Sequence, residues 1–97
     1  MTATLFVRHR VNHMAHWLNG YKSRSEAGLL KEYGIIAESV HTDLNGGDTV
    51  IVMHQFADET ALNAFKSLFE SELFRAEAAK EGGVLIDTME MWAGADA

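Results

Sequence analysis

The chain has 97 residues, 47% hydrophobic and 23% charged, which is the composition of one globular domain and leaves no room for a second. It contains no cysteine, so disulfides, zinc–thiolate centres, iron–sulfur clusters and cysteine nucleophiles are excluded. The formal net charge of −6 is spread along the sequence without a basic stripe, which argues against nucleic-acid and anionic-membrane partners.

Met1 to Arg8 runs straight into patterned sequence, with no basic region followed by an apolar core. No signal peptide or membrane span is expected, and the cytoplasm is the expected location. Ala3 to Arg10 alternates, with Leu5, Val7 and His9 on one side and Phe6, Arg8 and Arg10 on the other, which predicts a first strand. Asn12 is placed to cap a helix carrying Met14, Trp17, Leu18 and Tyr21 on one stripe. Leu29, Leu30 and Tyr33 sustain the helical period up to Gly34, although Gly20 and Gly28 interrupt it.

Ile35 to Thr42 and Thr49 to Phe56 read as two strands joined by a hairpin over Asp43–Asp48, which is dense in residues that tolerate positive φ. Asp58 caps a helix whose Ala61, Leu62, Phe65, Leu68 and Phe69 share one face. A shorter helix, Ser71 to Lys80, ends at Gly82-Gly83; Val84 to Trp92 is the last strand, and Ala93–Ala97 reads as a frayed tail. The order βαββαβ predicts a ferredoxin-like α+β domain with a four-stranded antiparallel sheet, the first and third strands in the middle.

Both sheet faces are apolar in this reading. Val50, Val52 and Phe56 oppose Ile51 and Met53, and Val84, Ile86 and Trp92 oppose Leu85, Met89 and Met91. Helices can cover only one face, and a solvated second face would alternate apolar with polar. The expected cover is an identical sheet, giving a homodimer through the sheet face.

The first strand Leu5-Phe-Val-Arg-His-Arg-Val11, the helix with Trp17 and Tyr21, the following Arg24-x-x-x-Gly28, and Asp58 leading into Ala64-Phe65 resemble the dimeric α+β barrel superfamily, in particular its antibiotic-biosynthesis monooxygenase-like branch. The resemblance implies a homodimer in which two sheets close a barrel, with a pocket between each subunit's helices and sheet. It does not imply one activity, because the superfamily includes cofactor-independent oxygenases, haem-degrading enzymes, lactone isomerases and peroxidases. Haem-degrading members pair a first-strand asparagine with a histidine on the second helix. Here His9 stands in the first strand and no histidine lies between Asp58 and Lys80, which speaks against haem degradation.

The histidines are the unusual polar feature. His9, His13, His16 and His41 are expected at one end of the domain, near the start of the first helix, and His54 toward the other end. His9 and His54 are the candidate proton acceptors, with Arg8 and Arg24 set to meet developing negative charge or, beside a dimer interface, to pair with Glu38 or Glu90. If the face carrying His54 turns toward the helices it lines the pocket; if it turns toward a second sheet it lines the interface. Trp17 and Tyr21, with Phe65 and Met53, are the candidate substrate-binding residues, offering stacking and an adaptable apolar surface. His13-x-x-His16 is a one-face pair, but without a fixed carboxylate partner no metal is assigned, and no cofactor is. No phosphate loop, dinucleotide fingerprint or nucleophile elbow is present. Two classes follow: a cofactor-independent monooxygenase-like enzyme acting on a hydrophobic aromatic or enolisable small molecule, or a non-catalytic ligand-binding or structural dimer.

Overall fold

The computed structural model describes residues 2–26, 28 and 31–95. Its elements are β1 (Ala3–Val11), α1 (Met14–Glu26), one 3₁₀ turn (Lys31–Tyr33), β2 (Ile35–Thr42), β3 (Thr49–Phe56), α2 (Glu59–Glu70), α3 (Glu72–Gly82) and β4 (Val84–Ala95). The strands form one antiparallel sheet in the order β2-β3-β1-β4, so β1 and β3 are central as the ferredoxin-like order requires. No described helix is long and apolar enough to cross a membrane.

Local chemistry explains the joints. The α1 start differs from expectation: the Asn12 backbone N–H donates across to the Gly83 carbonyl at 2.9 Å, and the His13 ring caps instead, its Nδ1 accepting from the His16 N–H at 3.2 Å. The helix stops at Glu26, and Leu29 and Leu30, expected to prolong its period, lie outside the described residues. Asp58 caps α2 by accepting from the Ala61 N–H at 2.8 Å. Ser71 serves two helices at once, donating to the Leu68 carbonyl that ends α2 and accepting from the Phe74 N–H that begins α3. Gly83 closes α3 at φ 67°, a left-handed position natural for glycine. In the hairpin, Asp43 accepts from Asn45 N–H, and Arg10 of β1 grips Asp48 with two bonds of 2.9 and 2.7 Å.

The inner, helix-covered sheet face carries Leu5, Val7, His9 and Val11 from β1 and Val50, Val52, His54 and Phe56 from β3, all buried. Leu62 and Phe65 of α2 complete one cluster with Leu5, Val7 and Phe56. Trp17 and Tyr21 of α1 complete another with Val11, Val50 and Val84. The question the sequence left open is thus answered: the face with His9 and His54 meets the helices.

The faces of β4 need correction. Arg8 pairs with Glu90 and Arg10 with Leu85, so two residue steps along β1 match five along β4, and this irregularity switches parity along the strand. Thr88 stitches it, its hydroxyl accepting from the Arg10 N–H at 2.9 Å and donating to the Leu85 carbonyl at 2.6 Å. Trp92 therefore joins Leu85 on the outer face, while Met89 and Met91 pack inward with Val84. The strand also runs on to pair Ala95 with Ala3, where a frayed tail was expected; Asp96 and Ala97 lie outside the described residues.

No second element covers the outer face among the described residues. Phe6 and Trp92 pair there with ring centroids 5.2 Å apart; Trp92 remains 64% exposed, and Ile51 and Leu85 on the same face are exposed as well.

Candidate functional site

A cavity of about 320 Å³ lies between the inner sheet face and the helices. Its sheet wall carries Val7, His9, Val52, His54 and Met89; α1 contributes Trp17, Tyr21 and Arg24, α2 Phe65 and Phe69, and α3 Phe74, Glu77 and Glu81. Helical spacing of four puts Trp17 and Tyr21 side by side over the sheet, and strand alternation puts both histidines beneath them.

These rings form a continuous row. His9 meets Trp17 edge-on at 5.4 Å, Trp17 stacks on Tyr21 at 5.3 Å, and Tyr21 lies nearly parallel to His54 at 6.2 Å. His54 then meets Phe65 edge-on at 5.2 Å, and Phe69 and Phe74 extend the aromatic wall. Such a surface suits a flat, apolar ring system.

Both histidines are almost wholly buried, His9 at 4% and His54 at 2% exposure. Burial disfavours the charged imidazolium, which lowers the pKa of His9 and brings that of His54 down to about 4, the Glu38 carboxylate opposing the latter shift. Each is a neutral base at pH 7. Nδ1 of each has no hydrogen-bond partner among the described residues. His54 Nε2 lies 3.0 Å from the Tyr21 hydroxyl, which donates to Glu38 Oε2 at 2.7 Å; the Ser25 hydroxyl donates to Glu38 Oε1. Burial and the neighbouring Glu38 charge push the Tyr21 phenol up, so it stays protonated. Arg24 sits over the Tyr21 ring at 5.9 Å.

Of the sequence-predicted residues, the fold brings His9, His54, Arg24, Trp17, Tyr21 and Phe65 to this one cavity. Arg8 and Met53 are corrections. Both stand on the outer face, where Arg8 pairs with Glu90 at 3.7 Å and Met53 lies opposite Phe6, because each occupies the parity opposite to His9 and His54. His13 and His16 are engaged structurally, His13 in its cap and His16 through Nε2 to the Glu81 carbonyl at 2.7 Å, and His41 is exposed with its Nε2 2.9 Å from Ser39. No group of three or more metal-binding side chains forms among the described residues. The sequence offers Glu38 only as an ion-pair partner for an arginine, and gives no sign of Ser25 or of the α3 lining. One signal existed: Glu38 shares the parity of Val40 in β2, the parity that faces the helices.

No protein-family model matches the sequence, and no curated protein does. Solved structures match over nearly the whole chain. A conserved protein from Methanosarcina mazei Go1 superposes with a TM-score of 0.70 at 19% identity, covering 100% of this chain and 94% of that one. SnoaB, a cofactor-independent oxygenase from Streptomyces nogalater, gives a TM-score of 0.70 at 14% identity, over 99% and 93% of the two chains. The ActVA-Orf6 monooxygenase of Streptomyces coelicolor, in complex with nanaomycin D, gives 0.68 at 15%, over 98% and 87%. The fold is ferredoxin-like, shared with solved structures described as dimeric ferredoxin-like proteins and as an antibiotic biosynthesis monooxygenase. At these identities the likeness concerns architecture, and chemistry has to be argued from the cavity itself.

Proposed function

We propose that the protein is a cofactor-independent, monooxygenase-like enzyme that binds a hydrophobic aromatic or enolisable molecule in the helix–sheet cavity and removes a proton from it. The observation that carries this reading is the pair of buried neutral histidines set along an aromatic wall. The neutral imidazole of His54 takes the proton from a phenol or an activated carbon; the electron pair stays on the substrate as a conjugated anion. Arg24 at the cavity offers that anion a counter-charge. Such an anion can itself reduce dioxygen, and the SnoaB neighbour is described as a cofactor-independent oxygenase.

We also infer that a second copy covers the outer face. Support comes from the exposed Trp92, Ile51 and Leu85 on one sheet face and from neighbours described as dimeric. A two-fold axis would set this patch against itself, leaving one helix–sheet cavity in each subunit.

Titration of nanaomycin D, the ligand of the S. coelicolor neighbour, tests the cavity through quenching of Trp17 fluorescence in a Trp92→Phe background. Saturable one-to-one binding is expected, weakened roughly tenfold or more by Arg24→Ala or Phe65→Ala and unchanged by Arg8→Ala. Oxygen uptake on a panel of hydroxylated naphthalenes and anthrones then tests the reaction, with His54→Gln expected to bind but not to turn over. Equal weakening by Arg8→Ala and Arg24→Ala, or no binding by any of these flat aromatics, refutes the assignment.

A further inference from the structure

The hydrogen bonds around His54 decide which of its two nitrogens is free. In the sheet register Glu38 of β2 is paired with His54 of β3, so the two side chains stand next to one another on the inner face. Tyr21 and Ser25, one helical turn apart on α1, reach down to them. The Tyr21 hydroxyl oxygen lies 2.7 Å from Glu38 Oε2 and 3.0 Å from His54 Nε2.

A hydroxyl has one proton to donate, and an ionised carboxylate can only accept. The charge-assisted bond to Glu38 takes that proton. The contact with His54 must then be made by a proton that the imidazole itself carries on Nε2, leaving Nδ1 bare. Nδ1 is the very atom found buried without a partner. In the opposite tautomer an N–H would be buried unsatisfied at Nδ1, and one phenolic proton would be claimed by two acceptors.

We propose that Glu38 is a positioning residue of this site: acting through Tyr21, with Ser25 holding its second oxygen, it locks His54 in the Nε2–H tautomer and leaves Nδ1 as the unprotonated nitrogen of the ring. This deepens the proton-abstraction reading above and rests on it. In the step itself a bound molecule displaces the side chains that cover Nδ1, an O–H or C–H bond of the substrate breaks, the electron pair remains on the substrate, and an N–H bond forms at Nδ1. The resulting imidazolium donates from Nε2 to Tyr21, and the Glu38 carboxylate behind that phenol supplies the balancing charge without touching substrate. A carboxylate that orients a histidine in a hydrolytic triad divides the labour in the same way.

Histidine side-chain ¹⁵N–¹H NMR of the full-length chain without ligand, near pH 7, tests the proposal. His54 of the wild type is expected to be neutral and protonated on Nε2. In Glu38→Ala the phenol is released to donate to Nε2, so the population shifts toward Nδ1–H. Glu38→Gln, whose amide oxygen still accepts from Tyr21, keeps the wild-type tautomer, while its His54 titrates at a lower pH because the carboxylate charge is gone. Arg24, Glu77 and Glu81, the other charged groups lining the cavity, are common to all three proteins and cancel in the comparison. Glu38 lies on an exposed edge strand, so the variants are expected to fold, and backbone amide spectra check this. Wild-type His54 found as Nδ1–H, or a tautomer ratio indifferent to Glu38→Ala, overturns the proposal. Because the tautomer is read without ligand, a chain that binds none of the aromatic probes yet shows the lock overturns the activity alone.

Discussion

Acidification should destabilise the fold through His54 before most carboxylates titrate. The side chain is 2% exposed, and its pKa falls from 6.5 to about 4 chiefly through burial. A base whose folded pKa lies below its unfolded value binds its proton more readily in the unfolded chain. His54 therefore makes no demand above pH 6.5, costs stability progressively as the pH falls toward 4, and costs no more below that. A gap from 6.5 to about 4 at ~1.36 kcal/mol per pH unit gives a loss of about 3 kcal/mol. Against a typical stability of ~5–15 kcal/mol this is a large share. Urea denaturation of wild type and His54→Gln at pH 7, 6, 5 and 4, at one fixed protein concentration because association shifts apparent stability, isolates the contribution. Glutamine keeps a donor toward Tyr21 but cannot titrate. Wild type should lose about 3 kcal/mol more than the variant between pH 7 and pH 4, while His9, shifted in the same direction, contributes to both and cancels. Parallel stability curves over that range would refute the claim that His54 is held neutral by burial.

Three further outcomes follow from the same structure. Trp92→Asp sets an unpaired charge in the outer face beside Phe6, twice over in a symmetric pair; light scattering across a dilution series should show a dissociation constant raised roughly a hundredfold or more, with far-ultraviolet circular dichroism unchanged. An undisturbed dimer would remove that face from the interface. Gly83→Ala demands a Cβ at φ 67° and 2.1 Å from Asn12 Oδ1, so thermal melting should show a loss of more than ~1 kcal/mol, with Asn12→Ala recovering the steric part but not the ~1 kcal/mol backbone part. Asp58→Ala removes the bond to the Ala61 N–H and should cost about 1 kcal/mol, read as a lower urea midpoint at unchanged slope.

The sequence by itself determined the element order, the central place of β1 and β3, and the grouping of His9 with Leu5 and Val7 and of His54 with Val52 and Phe56. Local rules suffice there, since strand alternation, caps and glycine-ended helices act over a few residues. It could not say which sheet face meets the helices, because both faces are apolar. Tertiary packing chose the face of His9 and His54, and by parity alone that choice sent Arg8 and Met53 to the outside. In β4 the irregularity opposite His9 reversed the expected faces, carrying Trp92 outward and Met89 inward; nothing in Leu85–Glu90 announces a register shift that depends on how the partner strand is held. The place of Glu38 and Ser25 beside His54 escapes the sequence for the same kind of reason. They are polar residues of unremarkable spacing, 16 and 29 positions before His54 in the sequence, and only the pairing of β2 with β3 beneath α1 brings them to it. Periodicity gives a side chain its face, and the fold gives it its neighbours.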